Sequence, residues 1–162
     1  RRRHTRFRNV TGVQTCALPI SLRPLYAALD PLAWPLIRIV AGLFLMPHGA
    51  QKLFGWFGGN PEGMAGFFAK IGLEPAMPLV IATGAVEFFG GLLIALGLFT
   101  RPAAVAAAVM LLVATVKVHL GSGFFWTDMG FEYPLMWAIL AAAIAVKGGG
   151  PLSLDERIGR EF

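Results

Sequence analysis

The stretch PLVIATGAVEFFGGLLIALGLF, residues 78–99, decides the fold class of this protein. Its only ionisable residue is Glu87, and about twenty apolar residues are what an α-helix needs to cross a bilayer core. The whole chain has the same character, since 56% of its residues are apolar and only 14% are charged. Soluble domains carry about 25% charged residues. We therefore predict a membrane protein in which residues 78–99 form one transmembrane helix.

Three other stretches have the length and composition of membrane spans, at about residues 32–54, 102–120 and 133–147. We predict an all-α polytopic membrane protein, with residues 21–162 forming one domain built as a four-transmembrane-helix bundle. In the first loop, Asn60-Pro61-Glu62 is typical of a helix start. Apolar residues then recur at helical spacing, which predicts a short interfacial helix. Those residues are Met64, Phe67, Phe68 and Ile71.

The first twenty residues differ in composition from the rest. Residues 10–20, VTGVQTCALPI, resemble a translated sequencing adapter, so we interpret residues 1–20 as a non-native leader. Without them the chain has nine Lys/Arg and nine Asp/Glu, and it loses Cys16, its only cysteine. A neutral chain gives no reason to expect nucleic acid as a partner. A chain without thiols excludes thiolate catalysis and iron–sulfur ligation.

Lysine and arginine counts predict the orientation of the bundle in the membrane. With four spans, the N-terminus, the second loop and the C-terminus share one side. The positive-inside rule places that side, and with it both termini, in the cytoplasm. The basic residues on this side are Arg23, Arg101, Lys147, Arg157 and Arg160, against Lys52, Lys70 and Lys117 on the other. We interpret Arg38 as an anchor at the inner surface.

Several ionisable residues lie within or beside the predicted spans, although each costs about 2.5–3.5 kcal/mol at mid-depth. Glu87 is the deepest acid, so it must be neutral or paired with a base from another helix. The candidate bases are His48, Lys52 and Lys117. We predict a polar site in the outer half of the membrane. It consists of His48, Lys52, Glu87, Lys117, His119 and Glu132. This cluster either handles protons or a ligand, or serves as a clasp that fixes helix packing.

Other chemistries find less support in the sequence. His48 and His119 are weak grounds for axial haem ligation. We predict no metal site, because no third ligand stands at a diagnostic spacing. An alternative interpretation of Lys52 and Lys117 is that their side chains snorkel, with the ammonium groups at the membrane interface. No residue can be assigned a catalytic role from the sequence.

Several short segments of the chain match the pattern of a known family. They are RIVAG (38–42), PHGAQKLFG (47–55), GAVEFFGG (84–91), LFTR (98–101), His119, GFEY (130–133) and GGPLSLD (149–155). In these segments, residues 34–155 resemble the DoxX family of small bacterial membrane proteins. The resemblance implies a four-helix protein of the inner (plasma) membrane and a link to redox systems, either quinone-linked or concerned with oxidative stress. It also implies that His48, Lys52, Glu87, His119 and Glu132 occupy recurrent polar positions.

These observations lead to one functional hypothesis and two alternatives. The chain is predicted to be a membrane subunit or partner of a redox system, with quinone as the candidate cofactor. Its expected partners are the lipid bilayer, a membrane or periplasmic redox protein, and a second copy of itself. The alternatives are a non-catalytic scaffold or assembly protein, and a conduit for small solutes or protons. Whether the chain is itself an enzyme stays open.

Overall fold

The structure, a computed structural model, describes residues 22–160, so the predicted leader at residues 1–20 lies outside it. The described chain is helical, which confirms the all-α fold class. Two short 3-10 turns, Trp56–Gly58 and Trp126–Asp128, lie in the loops that follow α1 and precede α5. The helices are α1 (Arg23–Phe54), α2 (Pro61–Lys70), α3 (Ala76–Leu96), α4 (Thr100–Ser122), α5 (Glu132–Lys147) and α6 (Leu154–Ile158).

Within residues 22–160, three helices are long and apolar enough to cross a membrane: α1, α3 and α4. The fourth, α5, has 16 residues, which corresponds to about 24 Å at 1.5 Å per residue. A bilayer core is about 30 Å thick, so α5 is a short fourth member of the bundle. The predicted count of four spanning helices is therefore approximate.

The helix ends differ from the predicted spans by a few residues at most positions. The largest difference is at α1, which begins at Arg23 rather than near residue 32, because a proline stands in its first turn and apolar residues continue upstream. The second span ends at Leu96 rather than at residue 99. Gly97 and Phe99 adopt φ values of 68° and 47°, and this left-handed backbone ends the helix.

Small residues set the distance between neighbouring helices. Gly42 of α1 lies against the backbone of Gly91 in α3, and Gly49 lies against the backbone of Gly84 and Phe88. A Cβ atom at either position would collide with that backbone, so glycine allows the close approach. Helices α4 and α5 meet through buried alanines, which are Ala103, Ala104, Ala107, Ala108, Ala138 and Ala141.

The order of helices around the bundle is α1, α3, α4, α5. The pairs α1–α3, α3–α4 and α4–α5 pack extensively, whereas α5 and α1 touch only sparsely. The predicted short helix in the first loop is present as α2, which packs against α3 and α1. Asn60 caps α2, because its Oδ1 accepts a hydrogen bond of 2.8 Å from the Gly63 N–H.

The bundle has two ends with different contents, which we call the cavity end and the Arg38 end. The cavity end holds the last turns of α1, the first half of α3, α2 and the loop before α5. The Arg38 end holds the α3–α4 turn and the chain from Gly148 to Ile158, which folds back onto α1 and α3. Polar clusters lie at both ends.

Candidate functional site

An ion pair between α1 and α3 lies at the cavity end of the bundle. The Lys52 Nζ atom is 2.8 Å from Glu87 Oε1 and 2.6 Å from Glu87 Oε2, so the ammonium donates to both carboxylate oxygens. The two side chains are 15% and 10% exposed. Of the three bases that the sequence offered as partners for Glu87, the structure places Lys52 against it.

Glu87 lies in a π-helical turn, Val86–Gly90, within α3. Just before this turn, the Thr83 hydroxyl donates to the carbonyls of Leu79 and Val80. Such back-bonding to the preceding turn loosens a helix, and single π turns are frequent at functional sites. A second π turn, Thr115–His119 of α4, carries the Thr115 hydroxyl bonded to the Leu111 carbonyl. The two turns alter the helical phase of α3 and α4 where their polar residues stand.

A cavity of about 1250 Å³ lies beside the ion pair, between α1, α3, α4 and α5, with α2 at its rim. Most of its lining is aliphatic or aromatic, with Phe44, Phe67, Tyr133 and Trp137 among the rings. A large apolar pocket with a few convergent polar groups is the usual form of a ligand site. The polar residues in its wall are His48, Gln51, Lys52, Asn60, Thr83, Glu87 and His119.

The structure brings together four of the six residues that were predicted to form the polar site. His48, Lys52, Glu87 and His119 all line the cavity. Lys117 and Glu132 are not part of its wall. The side chain of Lys117 is exposed, and Glu132 accepts a hydrogen bond of 3.2 Å from the Trp126 N–H in the loop before α5.

The imidazole of His119 is oriented by the loop that precedes α5. Its Nδ1 atom is 2.7 Å from the carbonyl oxygen of Met129. A carbonyl only accepts, so Nδ1 must carry the proton in this contact. In the neutral ring, Nε2 is then an acceptor. His119 and Gln51 add hydrogen-bonding capacity to the cavity wall beyond the ion pair.

A second polar cluster, at the Arg38 end, was missed by the sequence interpretation. Arg38 is 1% exposed, so it is a core residue rather than the surface anchor that was expected. Its Nη2 donates to the Leu152 carbonyl at 3.4 Å. The Nε and Nη1 atoms have no hydrogen-bond partner within residues 22–160. Arg38 does not line the cavity beside the ion pair.

Asp155 caps α4 from a distant part of the chain. Its Oδ1 accepts from the Phe99 N–H at 2.9 Å, and its Oδ2 accepts from the Thr100 N–H at 3.0 Å and the Thr100 hydroxyl at 2.7 Å. Thr100, Ser153 and Asp155 are all buried. A carboxylate here satisfies free donors at a helix N-terminus and interacts favourably with the helix dipole.

Ser153 is the N-cap of the short helix α6 beside Asp155, since the Ser153 Oγ accepts from the Glu156 N–H at 3.1 Å. One sign of the buried cluster in the sequence is Gly97 in the tight α3–α4 link. A Cβ there would overlap Arg38 Nη1 and the Ser153 side chain, so the glycine makes room for the buried guanidinium.

The donor set of the described residues offers little to a metal ion. Within residues 22–160, no group of three or more His, Asp or Glu side chains comes together in a way that could hold one. The polar wall of the cavity consists instead of hydrogen-bond donors and acceptors. It suits an organic ligand with its own polar groups.

Comparison with known proteins identifies relatives of this chain. The sequence model of the DoxX family matches residues 33–120. A Bacillus subtilis (strain 168) protein named "Putative oxidoreductase CatD" is 35% identical over 120 residues, which cover 74% of this chain and 82% of that protein. A Haemophilus influenzae protein named only as uncharacterized is 30% identical over 124 residues, or 75% of this chain and 87% of that one. No solved structure matches the chain.

Proposed function

This chain is a membrane protein of the DoxX family, and we propose that it binds a lipid-soluble quinone as the membrane component of a redox system. The observation that carries the proposal is the Lys52–Glu87 ion pair in the wall of an otherwise apolar cavity. An ion pair that served only as a packing clasp would need no cavity beside it. Here the two charged groups stand where a ligand of suitable size would meet them.

The hydrogen-bonding capacity of the pair suits a quinone ring. An ammonium has three N–H donors, and two of those of Lys52 are directed to Glu87. The third has no partner within residues 22–160, so it can donate to a quinone carbonyl. Glu87 and the His119 ring supply acceptors for the hydroxyls of the reduced form. The rings of Phe44, Tyr133 and Trp137 offer flat surfaces on which a quinone can pack.

The proposed redox role needs a partner protein. Reduction of a quinone to its hydroquinone consumes two electrons and two protons, and we assign the electrons to an oxidoreductase partner in or beside the membrane. Support comes from the relative in Bacillus subtilis, which carries an oxidoreductase name. We also propose the bacterial inner membrane as the location, with both termini in the cytoplasm. The cavity end would then open on the outer side, and a second copy of the chain is a further candidate partner.

The packing of the Arg38 end argues against the conduit alternative. Arg38, Thr100, Ser153 and Asp155 are buried there, and none of them lines the cavity. A path for solute from one end of the bundle to the other would have to pass through these side chains. The burial of these side chains supports a binding site rather than a conduit.

The test is the affinity of the purified protein for a ubiquinone analogue with a single isoprene unit, followed by quenching of tryptophan fluorescence. Lys52→Met should weaken binding by about tenfold to a hundredfold, because a hydrogen bond from a charged donor contributes about 1.5–3 kcal/mol. Lys117→Met is the matched control, since Lys117 lies outside the cavity wall. Equal affinities for the wild type and Lys52→Met would contradict the proposal and leave the scaffold alternative.

A further inference from the structure

A second, wholly apolar hollow lies in the seam between α1 and α5. It has a volume of about 390 Å³. We call it the α1–α5 groove, and its lining residues are Leu36, Ile37, Val40, Ala41, Trp137 and Leu140. Leu36, Ile37 and Val40 are 63%, 43% and 38% exposed. The groove is thus open along the side of the bundle that faces the hydrocarbon of the bilayer.

The α1–α5 groove adjoins the large cavity at Trp137. Trp137 lines both hollows, and Phe44, which lines the large cavity, lies next to it with ring centroids 6.2 Å apart. These two rings form the boundary between the hollows. Aromatic rings at this spacing are held by contact alone, so the boundary can widen by side-chain rotation without loss of a hydrogen bond.

The seam that contains the groove is the loosest in the bundle. Glycines join α1 to α3 and alanines join α4 to α5, whereas α5 and α1 touch only sparsely. A molecule dissolved in the bilayer would meet the cavity most readily from this side. The polar head of such a molecule would then have the Lys52–Glu87 pair ahead of it, and its tail would lie behind it between α1 and α5.

We propose that the α1–α5 groove holds the isoprenoid tail of the same quinone whose ring meets Lys52 and Glu87, and that this seam is the entry from the bilayer. The inference rests on the proposed function and adds the tail as a recognised part of the ligand. Lipid chains are as apolar as a leucine side chain, so transfer of the isoprenoid tail from the bilayer into the groove provides little driving force. The groove acts through shape: it fits a chain and directs the ring towards the ion pair.

The experiment compares two ubiquinone analogues with the same ring, one with one isoprene unit and one with four. Binding is followed in detergent by tryptophan quenching, for the wild type and for Val40→Phe, which fills the groove. The added ring should weaken binding of the four-isoprene analogue about tenfold, because the phenyl ring occupies the space that the tail would fill. Affinity for the one-isoprene analogue should stay within about twofold, which also shows that the variant is folded.

Two further variants separate the groove from its surroundings. Ile39→Phe is the matched control, since Ile39 is a β-branched neighbour with 39% exposure that lines neither hollow. It should bind both analogues like the wild type. Val40→Ala enlarges the groove without blocking it, and it should keep affinity for the four-isoprene analogue within about twofold.

Three other outcomes would contradict the tail site or the proposed function. If Val40→Phe binds the four-isoprene analogue as the wild type does, the groove holds only bilayer lipid, and the inference fails while the proposed function stands. If Val40→Phe weakens both analogues equally, the effect belongs to the large cavity and the tail site is likewise rejected. If the wild type binds neither analogue, the proposed function fails and the inference fails with it.

Discussion

The two ends of the bundle use similar residues in opposite ways. At the cavity end, Lys52 and Glu87 form an ion pair beside a hollow of about 1250 Å³. At the Arg38 end, Arg38 and Asp155 are each 1% exposed and surrounded by packed chain. Charged groups in membrane helices are costly at both ends. The Lys52–Glu87 pair has a cavity beside it in which its free donor can meet another molecule, whereas the unpartnered Nε and Nη1 atoms of Arg38 are buried.

The difference lies in what satisfies each charge. Asp155 uses its carboxylate on donors of the protein itself, at the start of α4. The Lys52–Glu87 pair satisfies itself and retains a free donor towards the cavity. We therefore assign stability to the Arg38 end and ligand binding to the cavity end. Substitutions at one end at a time test this division of roles.

The largest effect is expected at Asp155. Asp155→Ala removes three hydrogen bonds to a charged acceptor and leaves buried donors at the start of α4 unsatisfied. The free energy of unfolding should fall by about 4 kcal/mol, as measured by denaturation in detergent. Glu156→Ala, at the exposed neighbouring acid, should cost about 1 kcal/mol or less. Equal losses of stability in the two variants would contradict the structural role that we assign to Asp155.

Gly97 should give the next largest effect. Gly97→Ala places a Cβ against Arg38 Nη1 at a backbone with φ of 68°, so it adds overlap to backbone strain. The free energy of unfolding should fall by about 3 kcal/mol. Gly72→Ala has a similar φ of 76° and nothing within 4 Å, so it should show the backbone cost alone, about 1 kcal/mol. A Gly97→Ala variant as stable as Gly72→Ala would mean that Arg38 is not tightly held.

The smallest effect is expected at Glu132. Its carboxylate bonds to the Trp126 N–H in a loop and does not line the cavity. An amide oxygen can accept the same bond, so Glu132→Gln should change the free energy of unfolding by about 0.5 kcal/mol or less. Affinity for the one-isoprene quinone should not change. A clear loss of affinity would show that Glu132 takes part in binding, which would contradict its place outside the cavity wall.

Much of the fold could be predicted from the sequence because the signals for transmembrane helices lie in short stretches of chain. Long apolar stretches and the Asn60-Pro61 helix start are both recognisable from adjacent residues, and the structure has helices at these places. The helix ends were less accurate. The stop at Leu96 depends on the left-handed backbone of Gly97 and Phe99 in the α3–α4 link, and a bulky residue such as Phe99 rarely adopts that conformation.

The sites were predictable only in part, because they depend on helix rotation and on distant chain. The sequence offered three bases for Glu87, and the packing of α1 on α3 through Gly49 and Gly84 is what selects Lys52. Lys117 sits on the exposed side of α4, whose π turn shifts the helical phase. Arg38 was misjudged because its cover comes from Gly97 and from residues 152–155, far away in the chain.

The most direct test of the central claim is the rise in melting temperature that the one-isoprene quinone produces in three proteins. A ligand that binds only the folded state stabilises it by an amount that grows with the ratio of ligand concentration to Kd. The wild type and Asp155→Asn should both show a clear rise, even though Asp155→Asn melts lower without ligand. Lys52→Met, which lacks the donor for the quinone carbonyl, should show little rise with ligand. A full rise in Lys52→Met, or its loss in Asp155→Asn, would contradict the division of roles between the two ends.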